Sequence, residues 1–582
     1  MKKLTDGRYV GNGQGMHGVY RVAVEIVRGK IVKVEVLDQH GTEQFPDLAV
    51  KEIPTKILAS QSTKVDVVSG ATVSSQAIME AVNSALYQAD GQPEFISQEP
   101  LEFSTDVIVV AAGPAGLAAA ITAAEKGLRV AVFEKEAITG GTANMGMGPL
   151  GIDTKIQRRV FNEITVAEAL KNQMEYTHYQ VDEALVQRYF SLSSQTIDWL
   201  EEMGVKFAGA FRYFKESAAT WHIVQPEHGK IGPSAAATMM KKMTQRAKKL
   251  GVEFYLQTAV DNLVVEQGRV VGIQATTKQR QKITARSSAV VVCTGGFGSN
   301  PQMLQAELNL KLNQNFFTFN VPGIEGDGLK MMWKAGAQKF GISIEAIYVL
   351  PHNFNYMIAD GVLRQPNLLL NQNGDRFMNE GMMGNTTFTG NAIALQPGKY
   401  AYCIMDREIL QQYQQQGPDI VDIVHPADGF QVLEKEITKA AENHYDAIIT
   451  ADSVPELADK LKIPVEKLQQ TLTEYNQMCA HGKDTLFYKS AKFLHPLTGK
   501  GGFLVGKYYQ GAYGTVGGVR INSNCEVLND QQQPIAGLYS AGTDANTIYA
   551  DSYNFTLPGN SMGFAINSGR IAGSEIARKL KN

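Results

Sequence analysis

The stretch DVIVVAAGPAGLAAAITAAEK, residues 106–126, decides the fold. Val107–Val110 is a continuous apolar run of the kind found in strands buried on both faces of a parallel sheet. Leu117–Lys126 is alanine-rich and reads as a helix. Between them lies Ala111-Ala112-Gly113-Pro114-Ala115-Gly116, which carries two of the three glycines of a dinucleotide fingerprint, with Ala111 in the first position. The chemistry requires bare backbone where a pyrophosphate meets a helix N-terminus, because the free N–H groups and the dipole attract anions there. A second apolar run, Val130–Phe133, ends at Glu134, about twenty residues on, where an acid holds a ribose hydroxyl. Strand, glycine turn, helix, strand and acid together specify a nucleotide site.

Outward from this point, later pieces of the chain return to the same sheet. Ala289–Cys293 runs into Thr294-Gly295-Gly296, and Gly537-Leu538-Tyr539 runs into Ala541-Gly542. The polar segment 346–513 between them has helix patterns of its own at Asp406–Gln416 and Val465–Cys479 and reads as an inserted α+β lid. The first 95 residues form a separate small α+β unit, with a hairpin turning at Gly29 and a helix from Ser74. The expected organisation is an N-terminal unit over 1–95, a linker over 96–104, a Rossmann-like α/β domain over 105–345 and 514–582, and the lid at 346–513.

Composition narrows the function classes. Fifty-five basic against 58 acidic residues leave a net charge of −3, which removes an electrostatic case for nucleic acid or an anionic membrane. Cys293, Cys403, Cys479 and Cys525 lie far apart and offer neither a disulfide framework nor an iron–sulfur or haem ligand set. No His, Cys or carboxylate spacing suggests a metal site. The start of the chain lacks the apolar run of a secretory signal. The uncharged run Val107–Ala124 is interrupted by its glycine–proline cluster, so a soluble cytoplasmic protein is expected.

Further small-residue loops at Gly140–Asn144, Thr294–Gly298, Gly326–Gly328 and Pro558–Gly563 extend the pattern. With them, residues 105–582 resemble the FAD-binding flavoprotein subunits of the fumarate reductase/succinate dehydrogenase superfamily, including the soluble flavocytochrome-type reductases. The resemblance implies non-covalent FAD held by Gly113, Ala115, Gly116, Glu134, Lys135, Gly140, Gly141, Thr142, Ala143, Asn144, Thr294, Gly295, Gly296, Asp327, Asn560, Ser561 and Met562. Residues 66–75, DVVSGATVSS, are similar to the acceptor motif of FMN-binding domains. That likeness implies FMN attached covalently by a flavin transferase to Thr72, with Ser69, Gly70 and Ala71 leaving room for its phosphate.

Members of the resembled family hold a dicarboxylate with two histidines and an arginine, and protonate it from a second arginine. Carried over by motif, those four positions hold Leu350, Gly514, Gly384 and Thr556 here. None can replace a guanidinium fork, so a bulkier, less charged substrate than fumarate is expected, an enone or enoate. Tyrosines beside the vacated positions, Tyr513, Tyr348 and Tyr553 with Tyr549, are candidate proton donors. Asp360 and Arg364 fall near the family's proton-relay pair. Pro558-Gly559 resembles a ketosteroid dehydrogenase segment that binds an enone oxygen through backbone, although Phe555 stands where that family has tyrosine. The function implied is reduction of an activated carbon–carbon double bond, electrons passing from a flavoprotein or reduced flavin through FMN to FAD. A two-flavin electron carrier and a ketosteroid-type desaturase are the alternatives.

Overall fold

A computed structural model describes residues 4–15, 18–38, 48–63, 65–68, 72–90, 99–352, 355–421, 423–425 and 429–581. In the N-terminal unit, strands Gly7–Gly15, Gly18–Val27 and Lys30–Asp38 form an antiparallel sheet. The second and third are joined through Arg28 and Gly29, both at positive φ (54° and 74°), the mirror-image turn that matches strand twist. Tyr20, Val22, Val24 and Ile26 alternate onto one face and pack against Ile53, Ile57, Ile78 and Val82. These last come from helices Leu48–Ser60 and Thr72–Ala89. Glycine lets the second helix lie directly on the first strand: a Cβ on Gly11 or Gly13 would stand 1.9 Å from the carbonyl oxygens of Ala81 and Ala77. The unit meets the rest of the chain through Glu80, which accepts from Gln257 Nε2 (3.1 Å) and pairs with Lys278.

Val107–Val110 lies inside a six-stranded sheet in the order Glu526–Leu528, Pro534–Ser540, Ala289–Val292, Val107–Val110, Val130–Phe133, Glu253–Tyr255. All neighbours are parallel except the first pair. The apolar runs are buried along their whole length, as two covered faces require. Helix Pro114–Glu125 packs on this sheet and against the long C-terminal helix Asn560–Lys581. Gly569 and Gly573 permit that crossing, since a Cβ on either would approach the Ala115 or Ala119 carbonyl to 2.2 or 2.6 Å. A smaller sheet contains Leu101–Ser104, Thr258–Glu266, Arg269–Thr277 and Lys282–Arg286.

The third region is built on one 17-residue strand, Phe503–Val519. It pairs with Phe317–Thr318, Lys339–Val349, Tyr400–Asp406 and Ile448–Ala451. The expected boundaries at 345/346 and 513/514 fall within two of these strands, so the lid grows out of the dinucleotide domain along continuous backbone. Its core holds Tyr348, Leu350, Ile404, Tyr475 and Tyr508. Helices Arg407–Gln416 and Val465–His481 stand where the sequence patterns place them, the first capped by Asp406. Among the described residues, no helix is long and apolar enough to cross a membrane.

Candidate active site

Two connected spaces occupy the seam between sheet and lid. The first is a trough over the carboxyl ends of the parallel strands, lined by Gly113, Ala115, Glu134, Lys135, Gly141, Thr142, Thr294, Gly295 and Asp327. Helix Pro114–Glu125 starts at it with no side-chain cap, leaving its first N–H groups for a ligand. A Cβ on Gly113 would meet nothing within 4 Å, so the turn opens onto the trough. At Gly116 the same atom would stand 2.0 Å from the Ala111 carbonyl oxygen. That glycine serves helix–strand packing. Ala111, in place of the first fingerprint glycine, takes φ +78°.

Glu134 is buried, accepting from the N–H groups of Ala112 (2.7 Å) and Glu136 (2.9 Å). Burial lifts its carboxyl above the usual range, against those two donors. Lys135 reaches Asp327 (2.6 Å) and Glu325 (3.2 Å). Burial lowers its ammonium pKa, but the two carboxylates outweigh that and hold it above the ordinary value. The Thr294–Gly296 loop is fixed by Asp544, whose fully buried carboxylate accepts from Thr294 Oγ1 (2.8 Å) and Gly296 N (2.8 Å). Nothing near Thr294 in the sequence signals that partner. Gly140, Asn144, Gly296 and Asn560 lie behind the walls rather than on them: Gly140 N donates to Ala112 O (2.8 Å), and the Asn560 amide to Gln173 Oε1 (3.3 Å).

The second space is a cavity of about 240 Å³ that shares Pro114, Thr142, Gly295 and Ala565 with the trough. Ala143, Gly559, Ser561 and Met562 line it, as do the aromatic side chains Tyr213, Trp221, Phe319, Tyr513, Tyr553 and Phe555. Tyr513 stacks on Phe319 (5.0 Å between centroids), and Tyr553 packs edge-on against Phe555 (4.7 Å). Gly559, at φ +80°, leaves no room for a Cβ, which would stand 2.7 Å from the Trp221 ring. Its neighbour Asn560 opens the C-terminal helix behind the wall, and Ser561 and Met562 of its first turn line the cavity.

Strand parity sorts the remaining candidates. Along Lys339–Val349, Glu345, Ile347 and Val349 line the cavity, whereas Tyr348 and Leu350 belong to the lid core. Tyr348 donates its hydroxyl to the Met383 carbonyl (3.2 Å) and stands apart from the cavity. Leu350 and Thr556 are likewise off the wall. Gly514 is on it, and a Cβ there would meet nothing within 4 Å. Asp360 and Arg364 are buried at the cavity, paired at 2.7 Å. Burial opposes ionisation of Asp360, but Arg364 and His425 outweigh it and hold the carboxyl below its usual range.

Two wall residues escape a reading of the sequence. Glu345 sits in an apolar strand, bonded to Ser561, and burial raises its carboxyl to about 7. His425 approaches Asp360 Oδ2 at 3.3 Å from a distant loop. The buried His222, lowered to about 4 by its burial, is a neutral ring held by Thr154 (2.7 Å) and the Thr220 carbonyl (2.9 Å). Ser69, Gly70 and Ala71 lie outside the described residues, and Thr72 begins the helix Thr72–Ala89.

A glycine-walled trough at the switch point of a parallel sheet, opening into a cavity beneath a lid, defines a dinucleotide-dependent oxidoreductase. The chain belongs to the FAD binding domain family, whose model matches residues 106–562, and an FMN-binding domain model matches residues 15–87. It is 31% identical over 490 residues to the vinyl phenol reductase of Lactiplantibacillus plantarum, covering 82% of this chain and 97% of that enzyme. It is 26% identical over 647 residues to the NADH:acrylate oxidoreductase of Vibrio harveyi, covering 99% of this chain and 61% of that longer enzyme. The open conformation of a flavocytochrome c3 fumarate reductase matches with a TM-score of 0.62 at 25% identity, covering 83% of this chain and 79% of that one. The protein is an FAD-binding oxidoreductase related to reductases of carbon–carbon double bonds.

Proposed function

We propose that this protein reduces the side-chain double bond of an aryl alkene, with electrons arriving through FMN and FAD. The observation that carries the reading is the cavity wall: six aromatic side chains, with its one arginine and one histidine among the lining residues, Arg364 and His425, both turned to Asp360 rather than standing at the family's four clamp positions. Each absent charge-assisted contact is worth about 1.5–3 kcal/mol, so losing all four disfavours fumarate by orders of magnitude. A flat aromatic substrate gains instead from ring stacking and burial. The vinyl phenol reductase relationship favours the same class.

FAD would be held by the glycine turn, Glu134, the 141–143 loop, Thr294–Gly295 and the start of the C-terminal helix. Bound there, it supplies a hydride equivalent to the alkene. The protein's own task is then the proton. Glu345, with a carboxyl near 7, is matched to proton donation at neutral pH. Tyr553 keeps its proton because burial and the Glu345 charge push its pKa well above the ordinary value. Tyr513 faces the same space. We assign the donor to this group, with Glu345 first. The N-terminal unit would carry FMN on Thr72 and receive electrons from a separate flavoprotein or reduced flavin. Acid precipitation of protein matured with a flavin transferase should leave FMN on the pellet and release FAD, whereas Thr72→Ala should give a colourless pellet.

The deciding experiment mixes dithionite-reduced holoprotein anaerobically with 4-vinylphenol, cinnamate, acrylate, an enone and fumarate, following flavin reoxidation optically. Aryl alkenes should reoxidise it at least about a hundredfold faster than fumarate. Fumarate within roughly tenfold of the best alkene would overturn the reading.

A further inference from the structure

At the lid end of the cavity, Arg364 is buried, lines the wall and is incompletely used. Both of its hydrogen bonds leave from Nη2, to Asp360 Oδ2 (2.7 Å) and to the Tyr348 carbonyl (2.9 Å). Its Nε is buried and has no hydrogen-bond partner among the described residues. The guanidinium lies over the Tyr348 ring at 4.6 Å, which fixes its plane. A buried donor left unpaired costs stability unless something arrives to accept from it. Asp360 is itself fully engaged: it accepts from Leu350 N (2.9 Å) and Arg364, and His425 lies 3.3 Å from the same oxygen as Arg364. The other carboxylate facing the cavity, Glu345, is not part of this pair and bonds Ser561 in the first turn of the C-terminal helix. Three residues of extended strand separate Glu345 from the Tyr348 carbonyl that anchors Arg364, about 10 Å. A 4-vinylphenol spans about 6.5 Å from oxygen to terminal carbon, which with a hydrogen bond of about 2.9 Å at the oxygen approaches that length, and the wall includes Ile347, Val349, Phe319 and Tyr513.

We propose that Arg364 receives an oxyanion on the substrate ring, para to the alkene, and so selects aryl alkenes bearing a phenolate or a carboxylate. The inference rests on the aryl-alkene reading and adds the polarity of the substrate: alkene toward Glu345 and Ser561, oxyanion toward Arg364. Guanidinium donors suit such an oxygen because a charge-assisted bond is roughly twice as strong as a neutral one.

The test uses oxidised, FAD-loaded protein and saturated analogues that cannot turn over: 4-ethylphenol, 4-ethylbenzoate and 4-ethylanisole. Binding is titrated at pH 8 by perturbation of the flavin spectrum and by calorimetry. At least one of the phenol and the benzoate should bind about tenfold or more tightly than the methyl ether, and whichever does so names the oxyanion. In the double variant Asp360→Asn/Arg364→Gln, which removes the pair together and strands no buried charge, the preference should fall below about threefold. A methyl ether that binds as well as both the phenol and the benzoate in the unaltered protein overturns the inference, as does a preference that survives in the double variant. If aryl alkenes still reoxidise the protein in either case, the function stands and only the role of Arg364 falls. Failure of all three analogues to bind removes both.

Discussion

The trough and the cavity adjoin and share wall residues, yet they are made of different material. The trough exposes backbone at the Gly113 turn, the uncapped start of Pro114–Glu125 and the Thr294–Gly295 loop, beside the side chains of Glu134, Lys135 and Asp327. The cavity is walled by side chains from segments around residues 213–221, 319–321, 345–364, 424–425, 513–515 and 553–562. Backbone recognition requires residues without side chains at fixed places, so changing it breaks the fold. Side-chain recognition can be rewritten one residue at a time on an unchanged scaffold. A scaffold with this trough can therefore carry differently shaped cavities, and Gly514, whose added Cβ would meet nothing within 4 Å, is a wall position open to such rewriting.

The sharpest way to break this contrast is to add a side chain on each side of it. In Gly116→Val the new Cβ would stand 2.0 Å from the Ala111 carbonyl oxygen, a backbone atom that cannot swing aside. A loss of about 4 kcal/mol or more is expected, with no FAD retained on purification, read from the flavin-to-protein absorbance ratio. In Gly514→Leu the Cβ enters open cavity. That variant should keep its FAD and its melting temperature, while aryl-alkene reoxidation slows by roughly tenfold or more. Loss of FAD from Gly514→Leu, or its retention in Gly116→Val, would remove the distinction.

The same contrast explains what could be read from the chain beforehand. The strand–turn–helix at 107–126, Glu134 and the returning strands are local patterns, and each lies where its pattern implies. The first strand of the N-terminal unit was not legible. Its glycines at 7, 11, 13 and 15 argue against a strand by propensity, and only the helix lying on it explains Gly11 and Gly13. The cavity was legible by subtraction, through missing histidines and arginines, but not by what replaced them. Tyr348 illustrates the reason. It lies two residues before the vacated position Leu350 and shares its parity, and that parity faces the lid core; the odd-numbered Glu345 faces the cavity. Asp544 and His425 act on residues some 250 and 65 positions away, distances over which no local pattern carries information.

Glu345 offers a pH test of the side-chain wall. Its carboxyl is raised by burial to about 7, against roughly 4.3 for an unfolded glutamate. The native state therefore holds a proton that the unfolded chain has lost. Stability from this group is fully present below about pH 4.3 and is lost as pH rises through about 7. Relative to Glu345→Gln, the parent protein should lose on the order of 1–3 kcal/mol between pH 5 and pH 8. Parallel denaturant titrations at the two pH values measure it. An unchanged difference would mean that the carboxyl is not buried in the protonated form.

The smallest expected effect probes the trough at its one irregular residue. Ala111 holds φ +78° where the fingerprint has glycine, while its N–H donates to the Phe133 carbonyl (2.7 Å) and its carbonyl faces Gly116. A non-glycine residue in that conformation costs about 1–2 kcal/mol. Ala111→Gly removes this strain but adds freedom to the unfolded chain, worth about 0.5–1 kcal/mol the other way. The net expectation is a gain of about 0.5–1 kcal/mol, a rise of a degree or two in melting temperature for a chain this long. FAD affinity should stay within about twofold, because the backbone course and the helix N-terminus that would meet the pyrophosphate are unchanged. A lower melting temperature would mean that the alanine methyl contributes packing worth more than the strain it imposes. The trough would then owe part of its stability to a side chain, and the division between its two halves would be one of degree.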